Sequence, residues 1–136
     1  MATKIFVNLP VKDLNKTVKF FSALGFSFNA QFTDENATCM IVDDNIFVML
    51  LVEKYFQTFT KKPVADATKG TEVILSLSAE SRQRVDEMVD KAVAAGGTVS
   101  SEPQDMGWMY QRGFADLDGH LWEVAFLDET AFPTQE

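Results

Sequence analysis

The sequence predicts an α+β fold of two βαβββ modules that form a curled eight-stranded cup, with the helices on the outer face. Three observations carry this. The order strand, helix, strand, strand, strand is read twice, about 65 to 70 residues apart, an internal duplication of pattern and not of identity. Each copy holds one amphipathic helix stopped by glycine, enough to cover one face of four strands. The strands alternate, so residues that do not pack on a helix share a concavity when the two sheets turn toward one another.

Taken in order, Lys4 to Val11 reads as a strand with Ile5, Val7, Leu9 and Val11 on one face and Phe6, Asn8 and Pro10 on the other. From Asp13 to Leu24, Leu14, Val18, Phe21 and Leu24 recur at helical spacing, and Gly25 is the stop. Strands follow at Phe26 to Phe32, Ala37 to Val42 and Ile46 to Val52, separated by Asp34-Glu35-Asn36 and Asp43-Asp44-Asn45. Glu53 to Gly70 breaks the rhythm and reads as a connector with one helical turn around Lys54 to Phe59. Tyr55, Phe56 and Phe59 crowd that turn, either anchoring the connector to the core or forming a lid or dimer contact.

The second copy opens with a strand from Thr71 to Leu77, which places Val73, Leu75 and Leu77 on one face and Glu72, Ile74 and Ser76 on the other. A helix begins at Ser78 or Ser81, carries Val85, Met88, Val89, Ala92 and Val93 as its apolar stripe, and ends at Gly96-Gly97. A short strand at Thr98 to Ser101, a loop from Glu102 to Gly107, and strands at Trp108 to Ala115 and Leu121 to Phe126 complete it. The first module thus takes residues 1–53, the connector 54–70, the second module 71–128 and an acidic, fraying tail 129–136, within one structural domain.

Composition excludes several function classes. A formal charge of −8, from 20 acidic against 12 basic residues, argues against nucleic acid, whose phosphates need a concentrated basic face. The longest apolar run, Ile46 to Val52, is too short to span a bilayer, so no membrane partner is expected. Met-Ala-Thr-Lys-Ile-Phe lacks the apolar core of a signal peptide, and a cytoplasmic location is expected. The single Cys39 rules out an intrachain disulfide and sits in an apolar stretch, as a buried thiol would. Neither a Ser or Cys triad nor a glycine-rich phosphate loop is present.

One carboxylate, Glu123, stands in the middle of an apolar strand, and such a group needs water, a cation or an ion pair. If Trp122, Val124 and Phe126 face the helix, Glu123 faces the cup, where the parity of the fifth strand also brings Glu72. Two such carboxylates repel unless a cation joins them, and Arg112 is the candidate internal partner. Phe6, Asn8, Phe47, Met49 and Leu51, with Trp108, Tyr110 and Arg112, are candidate pocket residues, since aromatic walls with a few placed polar groups suit a small molecule. Trp108, after Met106-Gly107, is the preferred stacking contact. His120 belongs to the turn before the last strand.

The paired modules resemble the vicinal oxygen chelate superfamily, which holds glyoxalase I, extradiol dioxygenases, fosfomycin resistance enzymes and bleomycin resistance proteins. The opening Val-Asn-Leu-Pro-Val-Lys-Asp-Leu, then Phe20-Phe21 and Leu24-Gly25-Phe26, and the closing Asp-Leu-Asp-Gly-His-Leu-Trp-Glu-Val carry the resemblance. It implies a divalent metal held by four ligands, with Glu123 and Glu72 at two of the positions and Glu123 as the catalytic residue. Phe6 and Met49 stand at the other two, and neither suits the cations such sites use. Two function readings follow. One is a metal-free or weakly metal-binding, homodimeric protein that sequesters a small-molecule ligand in an aromatic, acidic cup. The other is a metal-dependent lyase, isomerase or dioxygenase with an altered ligand set. A cup closed by its own side chains, serving only dimerisation, is a third possibility.

Overall fold

The chain forms two units, Met1–Asp66 and Ala67–Glu136. The structure, a computed structural model, describes residues 2–133. Both units meet the expected α+β class: each is a βαβββ module with a four-stranded mixed sheet.

In the first unit, β1 (Ile5–Val11) leads into α1 (Leu14–Ala23), and β2 (Ser27–Asn29), β3 (Ala37–Asp43) and β4 (Ile46–Val52) follow. The sheet order is β1-β4-β3-β2, with β1 parallel to β4 and the other pairs antiparallel. The Asp13 carboxylate caps α1 by accepting from the Lys16 N–H at 3.0 Å. Leu9 and Val11 on β1, Val48 and Leu50 on β4, and Phe20, Phe21 and Leu24 are buried and make the core, while Phe6 is exposed. Phe26 to Phe32 is not one continuous strand. The Asn29 side chain accepts from the Gln31 N–H at 3.0 Å and turns the chain into a 3₁₀ segment at Ala30–Phe32, offering the backbone an alternative to the sheet ladder. The connector forms α2 (Glu53–Phe56) and a 3₁₀ turn at Gln57–Phe59.

In the second unit, β5 (Ile74–Ala79), α3 (Arg82–Ala94), β6 (Thr98–Asp105), β7 (Met109–Ala115) and β8 (Leu121–Leu127) give the order β5-β8-β7-β6. Ser81 is the N-cap, accepting from the Arg84 N–H at 3.0 Å. Val85, Met88, Val89 and Ala92 of α3 are buried, as are Phe114, Trp122 and Val124 of the sheet. Two boundaries differ from expectation by three residues or more. β5 begins at Ile74 and not Thr71, because its ladder with β8 starts at the Ile74 and Leu121 pair. β6 continues through Pro103 to Asp105, which an edge strand tolerates because a missing N–H there interrupts no inner ladder. The tail forms a 3₁₀ turn at Glu129–Ala131, capped by Asp128, and residues 134–136 lie outside the described residues. Among the described residues no helix is long and apolar enough to cross a membrane.

Candidate functional site

The duplication sets equivalent positions in the two units. Asn8 on β1 stands five residues before the N-cap Asp13, and Ser76 on β5 stands five residues before the N-cap Ser81. Asn8 pairs in register with Met49, and Ser76 pairs in register with Glu123. Met49 therefore occupies in the first sheet the place that Glu123 occupies in the second. By the same count the counterpart of Phe6 is Ile74. Glu72 lies before β5 on an exposed bend, so the expected inward pair of Glu72 and Glu123 is not formed by strand alternation. The missing information was the strand's starting point: Val73 is as exposed as Ile74, so hydrophobicity does not mark it.

Glu123 is instead held by neutral groups on the sheet face away from α3. Its Oε1 accepts from Ser76 Oγ at 2.7 Å and its Oε2 from Gln111 Nε2 at 2.7 Å. Trp122 and Val124, which alternate with it, are buried on the helix side, as expected.

Tyr110 and Arg112 are on that helix side too, which corrects their assignment to the pocket. Tyr110 Oη donates to Asp86 Oδ1 at 2.6 Å, and Arg112 Nη1 donates to Asp86 at 3.1 Å and Asp90 at 3.0 Å. Arg112 thus pairs with two α3 carboxylates and not with Glu123. They share parity with buried Phe114, which fixes the face. Next to them, Arg82 makes a two-pronged bond to Asp105 at 2.7 and 3.0 Å, donates to the Gly107 carbonyl at 3.1 Å, and places its guanidinium 5.2 Å from the Tyr110 ring centre. The Tyr110 hydroxyl and then Arg112 hold the Asp86 carboxyl below its usual range, while Arg82 brings Asp105 down to about 2. Trp108 is half-buried at the β6–β7 bend, edge-on to Phe132 at 5.5 Å.

His120 does lie in the turn, and Asp116 is the residue that organises it. The buried Asp116 carboxylate accepts from the backbone N–H groups of Asp118 at 2.9 Å and His120 at 3.0 Å, and from Trp122 Nε1 at 3.0 Å. Burial pushes the Asp116 carboxyl up, against the pull of His120 and these donors. The closing motif signals the Asp-x-Asp-Gly turn, but only the fold reveals that its first carboxylate anchors the indole.

The first unit contains a cleft of about 320 Å³ on the open side of its sheet. Asn8, Met49 and Leu51, three of the candidate pocket residues, line it from the strands. Phe32, Thr33 and Asp34 line it from the connection between β2 and β3, and Tyr55 and Phe59 from the connector. Tyr55 and Phe59 meet edge to face at 5.1 Å, and Phe59 is 66% exposed. Phe6 does not line this cleft. It stacks on Phe47 at 4.9 Å, and the Lys4 ammonium sits 5.7 Å from the Phe47 ring centre. Asp34 was missed because its role depends on the 3₁₀ turn that replaces the expected strand; its Oδ1 accepts from Asn36 and Ala37 N–H groups at 2.8 and 3.1 Å.

The residues present do not fit the divalent metal that the resemblance implies. Phe6 has no donor atom, Met49 offers a thioether, Glu72 is off the strand, and both Glu123 oxygens already accept hydrogen bonds. Among the described residues no group of three or more His, Cys, Asp or Glu side chains is placed to hold a metal ion.

Duplicated βαβββ modules, each with one sheet face under a helix and the other open, define a paired-module α+β protein. More particularly, the chain belongs to the glyoxalase/bleomycin resistance protein/dioxygenase superfamily, whose family model matches residues 5–124. A hypothetical protein, SA1046 from S. aureus, is 32% identical, with 93% of this chain and 94% of that one covered and a TM-score of 0.78. A glyoxalase-related enzyme from Fulvimarina pelagi shares the fold at 18% identity, covering 99% and 94% of the two chains with a TM-score of 0.78. So does TnmS3, an antibiotic binding protein from Streptomyces sp. CB03234, at 19% identity, 93% and 97% coverage and a TM-score of 0.65. No curated protein matches the chain.

Proposed function

We propose that the chain is a small-molecule binding protein without a tightly held metal, and that its ligand seats in the cleft of the first unit. One observation carries this: about 320 Å³ of open space lies beside an aromatic pair, Tyr55 and Phe59, with Met49, Leu51 and Asn8 on the sheet. That volume is within the range of small-molecule sites, and apolar walls with a few placed polar groups, here Asn8, Gln31, Thr33 and Asp34, are what orients such a ligand. Met49 is a soft, adaptable surface and suits a flat apolar group. The likeness to TnmS3, an antibiotic binding protein, supports a binding role on this fold, although fold alone does not fix function. A metal-dependent lyase, isomerase or dioxygenase has only Glu123 in its favour, and that carboxylate is occupied by Ser76 and Gln111.

The test is a thermal-shift screen of planar aromatic compounds, followed by calorimetric titration of hits. A ligand at a hundredfold excess over its Kd raises stability by about 2.7 kcal/mol. Binding is expected to weaken about fivefold in Phe59→Ala and about tenfold or more in Met49→Lys, since a stacking contact contributes on the order of 1 kcal/mol and an ammonium held in the cleft costs more. Hits whose affinity ignores both substitutions would sink the proposal.

A further inference from the structure

We infer that the occupant of the first unit's cleft is a planar aromatic monocation, an arylalkylammonium or a related amidinium, with its charge at Asp34 and its ring against Tyr55 and Phe59. This rests on the reading of that cleft as a small-molecule site and adds the ligand's charge and class. The hydrogen-bond polarity of the lining carries it. Thr33 Oγ1 gives its one proton to the Asn29 carbonyl at 2.8 Å, so in its 2.8 Å contact with Thr38 Oγ1 it is Thr38 that donates. Asp34 Oδ1 is filled by the Asn36 and Ala37 N–H groups at 2.8 and 3.1 Å, whereas among the described residues nothing donates to its Oδ2. Thr33 and Asp34 therefore offer a ligand only acceptors. The side-chain amides of Asn8 and Gln31 and the Tyr55 hydroxyl can turn either way, so the fixed polarity of the cleft is that of an acceptor with one negative charge.

Among the described residues no Lys, Arg or His side chain lines the cleft, so an anionic ligand would meet Asp34 with no compensating charge. A cation is favoured by two independent features. One is the open Asp34 oxygen. The other is the aromatic pair: Tyr55 and Phe59 meet at 80°, which sets a ring face beside a ring edge, and the negative ring face stabilises a positive charge held near it. A divalent ion would find one carboxylate and no second anionic group in the lining. A small aliphatic amine would leave Met49, Leu51 and the rings uncovered, whereas an aromatic body covers them. Asp34, Tyr55 and Phe59 all stand outside the positions that the resemblance assigns to a metal. The ligand's charge is thus selected by the connection between β2 and β3 and by the connector, and its flat body by the strands. Because Asp34 is exposed, solvent screens it, and its preference for a cation is a few-fold effect.

The experiment is a calorimetric titration of the intact chain with naphthylmethylammonium, naphthylmethanol and naphthoate, probes of one size that differ in charge. The ammonium is expected to bind about fivefold tighter than the alcohol, and naphthoate more weakly than either. Asp34→Asn keeps an oxygen for the Asn36 and Ala37 N–H groups, so the turn is retained while the charge is lost. In that variant the ammonium is expected to fall to the affinity of the alcohol, whose own affinity changes less than about twofold. Should Asp34→Asn not fold, Asp34→Ser, whose hydroxyl can take the same N–H groups, carries the comparison. General attraction by the formal charge of −8 acts on wild type and variant almost equally, so the difference between them reports Asp34 itself. Phe59→Ala is expected to weaken all three probes by a similar factor. If Phe59→Ala weakens the probes but the ammonium keeps its advantage in Asp34→Asn, or naphthoate binds wild type as tightly as the ammonium, the charge assignment is overturned and the cleft remains a ligand site. Absence of binding by all three probes, or binding indifferent to Phe59→Ala, would overturn both.

Discussion

At the scale of single residues, the turn between β7 and β8 depends on two side-chain choices. Asp116 satisfies two backbone N–H groups and the indole N–H of Trp122, which is itself 1% exposed. Replacing it with Ala leaves the indole donor buried without an acceptor and unties the turn. Each unsatisfied buried donor costs about 1–3 kcal/mol, so Asp116→Ala is expected to lower unfolding free energy by at least that much in urea titrations followed by Trp fluorescence. Gly119 closes the same turn at φ +86, and an added Cβ would lie 2.9 Å from the Thr68 N and 3.0 Å from the Ala67 carbonyl carbon. These are backbone atoms and cannot swing aside. Gly119→Ala therefore combines a disfavoured dihedral with overpacking and is expected to cost about 1–3 kcal/mol by the same measurement. Gly107 is the contrast: its φ is +80 but nothing lies within 4 Å of an added Cβ, so only the dihedral penalty of about 1 kcal/mol applies there.

At the scale of elements, α3 is strapped to β7 and to the β6–β7 bend by Arg82, Asp86 and Asp90, which recur every four residues beside the apolar stripe. The Asp105 carboxyl, depressed to about 2 by the Arg82 guanidinium, binds fewer protons folded than unfolded at low pH. Its contribution is present above the ordinary value of 3.8 and is lost as pH falls through about 2. Melting temperatures of wild type and Arg82→Met are accordingly expected to converge between about pH 4 and pH 2, and a gap that widens on acidification would contradict the pairing. This strap also shows what was legible in the sequence and what was not. Alternation placed Leu9, Val11 and Val124 on the core side and Asn8 on the open side, because periodicity is local. It gave Arg112 to the pocket because an arginine in a strand looks like a polar guest, whereas its partners are on a helix 22 and 26 residues earlier. The charged stripe 82, 86, 90 was the available signal. Glu72 failed for another reason: where β5 begins is decided by pairing with β8, which no local pattern encodes. Phe32 and Asp34 reached the cleft only because Asn29 bends the chain out of β2.

At the scale of the whole molecule, two electrostatic effects of opposite sign compete, and salt separates them. The ion pairs Arg82–Asp105, Arg84–Glu87 and Lys91–Glu87 lie at the surface, with side chains 29% to 54% exposed. Such pairs contribute about 0–1 kcal/mol each, and added salt weakens them. Against them stands the mutual repulsion of a chain with 20 acidic and 12 basic residues, which opposes compaction and which salt also weakens. Repulsion acts among all the acidic groups at once, including the Asp43-Asp44 turn and the acidic tail, whereas each ion pair among the described residues acts locally. Raising sodium chloride from about 10 mM to about 200 mM shortens the screening length from about 30 Å to under 10 Å, so the long-range repulsion fades while contacts near 3 Å keep most of their strength. The melting temperature is therefore expected to rise with salt in scanning calorimetry. In Arg82→Met, which carries one more net negative charge and so more repulsion for salt to screen, the rise is expected to be steeper. A melting temperature that falls with salt in both proteins would mean that the local pairs, and not the net charge, govern the stability of this fold.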